Sequence, residues 1–255
     1  AGPPRPPPVA EKSAPPRPAP PRPEPRADAG VRPDGKRKRG WYDEVFADYY
    51  AAIVPRDADA SAELDAAFVQ RCLELTSGMT LLDVGCGDGR HAIAFAALGL
   101  DVTGLDSAMP QLLRSARRNE SSRFNFVVTC LGTSLGYFET DEQNRQCLQD
   151  MVEVLKPGGK IAVQVFNRDF LMGVLPCRSW WQGRGCLVLD VADMHFLSGR
   201  MRIHRTVVFE DGRQFEHHIS IRAYSVSELG KMLTQAGARV LEISGGRETR
   251  GRFYG

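Results

Sequence analysis

The sequence has no long hydrophobic run. Of its 255 residues 42% are hydrophobic, yet no stretch reaches the roughly 18 consecutive apolar residues of a membrane-spanning helix. The first residues also lack the apolar core of a secretory signal peptide. The six cysteines include no Cys-x-x-Cys pair, which favours reduced thiols over disulfides or a zinc site. These absences predict a cytoplasmic protein with no membrane contact and no metal centre.

Proline is scarce outside one segment, because 13 of the 17 prolines fall in residues 1–40. That segment holds ten Lys or Arg against four Asp or Glu, which leaves 23 basic and 27 acidic residues in 41–255. We predict a disordered, basic, proline-rich tail at 1–40 and one folded domain at 41–255. The mildly acidic domain argues against a specific nucleic-acid partner. The tail is either a solvated linker or a weak ligand for a protein partner, and both interpretations stay open.

A strand, a glycine loop and an acid follow one another after residue 80. Leu81–Val84 has the pattern of a buried strand, Gly85–Gly89 reads GCGDG, and a helix is predicted over Arg90–Leu98. The next strand, Val102–Leu105, ends in Asp106. Glycines allow a sharp turn that brings backbone N–H groups close to a ligand. A carboxylate at a strand end can accept both hydroxyls of a ribose, so the order predicts a nucleotide-binding α/β fold.

These stretches, LLDVGCGDGR and VTGLDSA, resemble motif I and the acidic strand end of class I S-adenosylmethionine-dependent methyltransferases. GTSLGYF (132–138) and VLKPGGKIAV (154–163) resemble segments of a branch that methylates small molecules. The resemblance implies a Rossmann-like, doubly wound, mostly parallel sheet with helices on both faces. It also implies S-adenosyl-L-methionine as cofactor and in-line methyl transfer to a small-molecule acceptor. The cofactor-binding residues that it implies are Tyr42, Asp83, Gly85, Cys86, Gly87, Gly89, Asp106, Ser107, Met109 and Leu131.

Three alternating segments follow the fifth predicted strand, at Cys186–Phe196, Met201–Phe209 and Gln214–Tyr224. They predict an antiparallel β insert, 186–224, over the active site, followed by a helix and a sixth strand of the main sheet at Arg239–Ile243. Methyl transfer needs a general base only if the acceptor must lose a proton, so the catalytic group is left unknown. The weak candidates are Tyr137, His195 and His217.

One departure from the family pattern keeps alternatives open. Only 19 residues, 107–125, separate Asp106 from the strand predicted at Phe126–Leu131, so the third strand and the adenine-contacting loop are expected to be missing or merged. This short segment motivates a second hypothesis, a non-catalytic cofactor- or ligand-binding domain of the same fold. A third, an NAD(P)-dependent oxidoreductase, is disfavoured because the loop reads GxGxG and not GxGxxG.

Overall fold

The computed structural model describes residues 42–46, 49–106 and 127–253. Residues 1–40 and the short segment 107–125, with Ser107 and Met109, therefore lie outside the described residues. Within the described ranges, no helix is both long and apolar enough to cross a membrane. All six cysteines are free thiols.

A parallel sheet forms the centre of the fold. Its strands are β1 (Thr80–Val84), β2 (Asp101–Leu105), β3 (Val127–Cys130) and β4 (Lys160–Val163). They lie in the order β2-β1-β3-β4, and every neighbouring pair is parallel. The chain therefore starts at the middle of the sheet, builds outward to β2 and then crosses to β3 and β4. This is the order of a doubly wound nucleotide-binding sheet.

Helices cover both faces of this sheet. The helices are α1 (Tyr42–Val45), α2 (Tyr50–Ile53), α3 (Ala58–Leu73), α4 (Arg90–Ala97), α5 (Asp141–Glu153), α6 (Arg168–Val174) and α7 (Val226–Gln235). Leu81 of β1 packs with α3 and α4, whereas its neighbour Leu82 packs with α5 and α7. Successive strand residues point to opposite faces, so the unbroken apolar run of β1 is buried on both sides. The predicted fold class is confirmed.

An antiparallel sheet follows the parallel one along the chain. Its strands are β5 (Cys177–Gln182), β6 (Cys186–His195), β7 (Arg200–Phe209) and β8 (Gln214–Arg222), in the order β5-β6-β7-β8. The structure forms the three predicted strands and adds β5 at the edge. Five of the six β5 residues are exposed, so this strand lacks the alternation that marks a half-buried strand.

The predicted sixth strand at Arg239–Ile243 is wrong. The structure assigns no strand to these residues, and Val240, Leu241 and Ile243 are exposed. Glu242 instead accepts a hydrogen bond from the Cys72 thiol of α3 at 3.3 Å and pairs with Arg250. The segment is thus held beside α3 by side-chain contacts and pairs with none of the described strands.

Candidate active site

The glycine loop leaves the carboxyl end of β1 in a conformation that favours glycine. Gly85, Gly87 and Gly89 have φ values of +76°, +55° and +83°. A Cβ atom on Gly85 would lie 2.7 Å from the Cβ atom of Ser134, so this position has no room for a side chain. A Cβ atom on Gly87 would meet none of the described residues within 4 Å. The positive φ values let the loop turn sharply and bring its backbone close to a ligand.

Asp106 joins this loop to the end of β2. Its Oδ2 atom accepts a hydrogen bond from the backbone N–H of Gly87 at 2.8 Å. The N–H groups of Gly85 and Cys86 donate to the carbonyl of Leu105 at 2.7 and 3.1 Å. The carboxylate is thus fixed at the edge where β1 and β2 end side by side, the position at which this fold binds a ribose.

Asp83 is a buried acid directly before the loop. Its side chain belongs to a residue only 1% exposed, and Oδ1 accepts a hydrogen bond from Thr129 at 2.8 Å. The Oδ2 atom is buried and has no hydrogen-bond partner among the described residues. Burial raises the pKa of Asp83 to about 6. An unsatisfied carboxylate oxygen in this place is suited to a cationic ligand group such as an ammonium.

Three other residues implied as cofactor contacts have different surroundings. Cys86 is buried, and its Sγ atom would lie 2.8 Å from a Cβ atom on Gly104, so its side chain faces β2. Burial raises the pKa of this thiol to about 12. Leu131 belongs to the core between the sheet and helices α3 and α4. Tyr42 lies in α1. The side chains of Cys86 and Leu131 therefore lie in the protein interior.

A row of charged and polar side chains crosses the face of the antiparallel sheet that packs on the protein interior. Asp190 of β6, Arg205 of β7 and His217 of β8 stand directly opposite one another, and we call them the polar row. The Nε and Nη2 atoms of Arg205 donate to the two carboxylate oxygens of Asp190, each at 2.8 Å. Arg205 also lies over the ring of Trp181, 5.0 Å from its centroid. Asp190 is only 7% exposed, so the pair is largely desolvated.

The polar row interrupts an otherwise apolar face. On one side of it Ala192, Ile203 and Ile219 form a cross-strand row, and on the other side Val188, Val207 and Phe215 form another. The two apolar rows belong to separate hydrophobic clusters. A buried ion pair adds little net stability over apolar residues of similar volume. The row is therefore a candidate functional feature of the site.

Aromatic side chains pack against the two apolar clusters that flank the polar row, Tyr137 on one and Tyr50 on the other. The Phe46 ring is 4.9 Å from the ring of Tyr50 and 5.4 Å from that of Tyr137. Burial raises the pKa of both tyrosines, and the positive charge of Arg205 opposes that rise in each. Tyr50 also feels the charge of Asp106. Tyr50 is thus within electrostatic reach of the polar row and of the loop acid, so the two sets of residues border one region.

Comparison with known proteins identifies the family. Residues 56–243 match a family model described as a methyltransferase domain, which is most of the chain. The chain belongs to this methyltransferase family. Its members carry the fold found here, and the cofactor is S-adenosylmethionine. The match supports an enzyme that transfers methyl groups. It does not support the two alternative hypotheses, a non-catalytic binding domain and an oxidoreductase.

Individual relatives of this methyltransferase are distant. It is 27% identical over 196 residues to a dTDP-3-amino-3,4,6-trideoxy-alpha-D-glucopyranose N,N-dimethyltransferase of Streptomyces venezuelae, covering 69% of this chain and 82% of the relative. It is 26% identical over 232 residues to a dTDP-4-amino-2,3,4,6-tetradeoxy-D-glucose N,N-dimethyltransferase of Saccharopolyspora spinosa, covering 84% and 93%. The solved structure of the CcbJ methyltransferase from Streptomyces caelestis has a TM-score of 0.66 at 23% identity, covering 82% and 92%.

The three catalytic candidates of the methyltransferase are placed differently. Tyr137 and His217 both lie within electrostatic reach of Arg205. His217 contacts the Tyr49 hydroxyl through Nε2 and stacks on that ring at 5.6 Å, and burial lowers its pKa. His195 is exposed at the far end of β6, where Nδ1 lies 2.7 Å from the Ser198 hydroxyl. Tyr137 thus lies near the polar row, of which His217 is a member, whereas His195 is exposed at the end of β6.

The sequence analysis did not single out Tyr50, Asp190 or Arg205. A signal for the last two was present, because each interrupts a strand whose inward positions are otherwise apolar. A charged residue at an inward strand position indicates either that the strand register was predicted wrongly or that the residue has a functional role.

Proposed function

We propose that this methyltransferase methylates the amine nitrogen of a small molecule, with amino sugars as the substrate class. The main observation in support is the buried polar row, whose Arg205 lies within electrostatic reach of Tyr50 and Tyr137. Both relatives named above are N,N-dimethyltransferases of amino sugars, and they support the same acceptor chemistry. The antiparallel sheet then forms the acceptor side of the site, opposite the loop.

We assign three residues to the cofactor. The negative charge of Asp83, buried directly before the loop, attracts its ammonium group, and the carboxylate of Asp106 holds the ribose hydroxyls. The positive φ at Gly87 lets the backbone approach the ligand. When bound, S-adenosylmethionine supplies an electrophilic methyl group on a sulfonium centre. The protein's task is then to present a neutral nucleophile in line with that group.

The surroundings of the polar row favour a neutral amine over an ammonium ion. A buried site disfavours an additional charge, and the carboxylate of Asp190 is already paired with Arg205, so it does not compensate the charge of an ammonium ion. Burial raises the pKa of Tyr50 and Tyr137, so both phenols are uncharged at neutral pH. Uncharged hydroxyls can hydrogen-bond the amine and direct its lone pair without protonating it. In this arrangement His217 positions Tyr49, and His195 has no part in the reaction.

The experiment replaces the buried ion pair by apolar residues in the double variant Asp190→Leu/Arg205→Met. Removing both partners avoids leaving one buried charge unpaired. We expect turnover of a dTDP-linked amino sugar to fall by about 100-fold, because misplaced reacting groups cost rate of this order. Cofactor affinity, measured by calorimetry, should be unchanged.

The matched control is Asp193→Leu/Arg202→Met. These residues form an ion pair on the same two strands at 2.7 Å, but their side chains are exposed on the other face. This control should keep full turnover. If both double variants are equally active, or if only a hydroxyl acceptor is methylated by the wild type, the amine proposal is wrong.

A further inference from the structure

Helix α2, which carries Tyr50, is a single turn of four residues. A helix this short is not stable on its own, because its first turn fixes several residues for very few hydrogen bonds. The last carbonyl groups of a helix also have no partner inside it. The position of α2 therefore depends on the groups that bind its end, and these come from strands β5 and β6 and the turn between them.

Trp181 of β5 binds the last residue of α2. Its indole Nε1 atom donates to the carbonyl of Ile53 at 2.7 Å. The preceding carbonyl, that of Ala52, accepts from the backbone N–H of Arg184 at 2.7 Å and from the Cys186 thiol at 3.5 Å. The end of α2 thus has three donors, and one of them is the Trp181 side chain.

The ring of Trp181 also contacts the polar row, since Arg205 lies over it at 5.0 Å from the ring centroid. An indole has one N–H donor and a face that attracts a cation, so it can bind a carbonyl and a guanidinium at once. At the other end of α2, His217 contacts the Tyr49 hydroxyl and stacks on that ring. The polar row therefore holds both ends of the turn that carries Tyr50.

The turn between β5 and β6 approaches α2 too closely for a side chain. A Cβ atom on Gly183 would lie 2.3 Å from the carbonyl oxygen of Ala52, a backbone atom that could move only with α2 itself. Trp180, next to Trp181 in β5, points to the opposite face of the sheet and is 71% exposed. Of these two neighbouring tryptophans, Trp181 is the one that faces α2.

We propose that Trp181 is a positioning residue for methyl transfer, which fixes the Tyr50 hydroxyl relative to the polar row. This inference rests on the proposed function, in which Tyr50 hydrogen-bonds the acceptor amine. Tyr50 feels the charges of both Arg205 and Asp106, so it stands between the acceptor side and the glycine loop. A shift of α2 by about 1 Å would misplace its hydroxyl, and misplacement of this size costs up to about 100-fold in rate.

The variant Trp181→Phe keeps a ring under Arg205 and removes the indole donor. We expect kcat for a dTDP-linked amino sugar to fall about tenfold, with the acceptor KM and the affinity for S-adenosylhomocysteine unchanged. The matched control Trp180→Phe should keep full turnover. Gly183→Ala should lower kcat in the same way. Its control is Gly230→Ala, where a Cβ atom would meet none of the described residues within 4 Å, and this variant should keep full turnover.

A double-mutant cycle with Tyr50→Phe separates positioning from a general effect on the fold. If Trp181 acts through the Tyr50 hydroxyl, Trp181→Phe should cause no further loss of kcat once that hydroxyl is removed. Losses that multiply would overturn the proposal, because Trp181 would then act independently of Tyr50.

Amide hydrogen exchange of Tyr50–Ile53 measures how firmly α2 is held and needs no acceptor. We expect about tenfold faster exchange in Trp181→Phe than in Trp180→Phe, with both variants folded by circular dichroism. Equal exchange in the two variants overturns the proposal. A wild type that turns over no amino sugar refutes the proposed function, and the exchange rates then decide alone whether Trp181 holds α2 in place.

Discussion

The buried carboxyl group of Asp83 should make the free protein less stable at neutral pH than it would be without this acid. Burial raises its pKa from 3.8 to about 6. A raised pKa means that the folded state binds this proton more tightly than the unfolded state does. The contribution to stability is therefore fully present below about pH 4 and is lost as the pH rises through 6.

The magnitude follows from the size of the shift. Each pKa unit corresponds to about 1.4 kcal/mol, so a shift of about two units changes the free energy of unfolding by at most ~3 kcal/mol. Between pH 4.5 and 7.5 the expected loss is about 2 kcal/mol. The variant Asp83→Asn cannot ionise, so the difference between wild type and variant isolates this contribution.

Urea unfolding of both proteins at pH 4.5 and 7.5 measures the effect. Asp101→Asn, at the opposite end of the neighbouring strand, is the control and should follow the wild type. S-adenosylmethionine should bind the wild type about tenfold more tightly at pH 7.5 than at pH 5, because its ammonium group favours the ionised acid. If the difference in unfolding free energy between wild type and Asp83→Asn is the same at pH 4.5 and at pH 7.5, Asp83 does not have a raised pKa in the folded protein.

Three further outcomes are expected. Asp106→Ala should weaken cofactor binding by about 1–3 kcal/mol in calorimetry, through lost charge-assisted hydrogen bonds, and an unchanged affinity would remove Asp106 from the site. Gly87→Val should weaken binding more, because φ is +55° there and the side chain would fill the ligand's space, and tight binding would contradict this. Deleting residues 1–40 should shift the melting temperature by less than about 2 °C, since the segment has little to bury, and a loss of several degrees would show docking.

The first half of the nucleotide-binding fold was predictable from local signals. Leu81 and Leu82 mark a strand buried on both faces, and Gly85, Gly87 and Asp106 mark the loop and the next strand end. Each of these patterns spans only a few residues, so it can be recognised without knowing which distant residues are in contact. The family resemblance then supplied the cofactor, which the residue pattern alone leaves as a nucleotide-like ligand.

The acceptor side was less predictable because its residues meet only through long-range pairing. Asp190, Arg205 and His217 are separated by 15 and 12 residues, and only the register of three strands places them in one row. Tyr50 and Tyr137 come from still more distant segments. The extra strand β5 was missed because an exposed edge strand has no apolar alternation. Arg239–Ile243 has apolar residues but pairs with none of the described strands.

The strand register of the antiparallel sheet determines which side chains lie on each of its two faces. Leu189 and Asp190 are adjacent in β6, yet Leu189 is exposed on the outer face of the sheet and Asp190 lies in the polar row. A slip of one residue would exchange them, exposing the ion pair and turning Leu189 toward the interior. The turns that join β6 to β7 and β7 to β8 each carry a glycine at positive φ, Gly199 at +62° and Gly212 at +85°. The register that these turns set therefore determines whether Asp190 and Arg205 reach the acceptor side of the site at all, so a shift in strand pairing would remove the polar row from it.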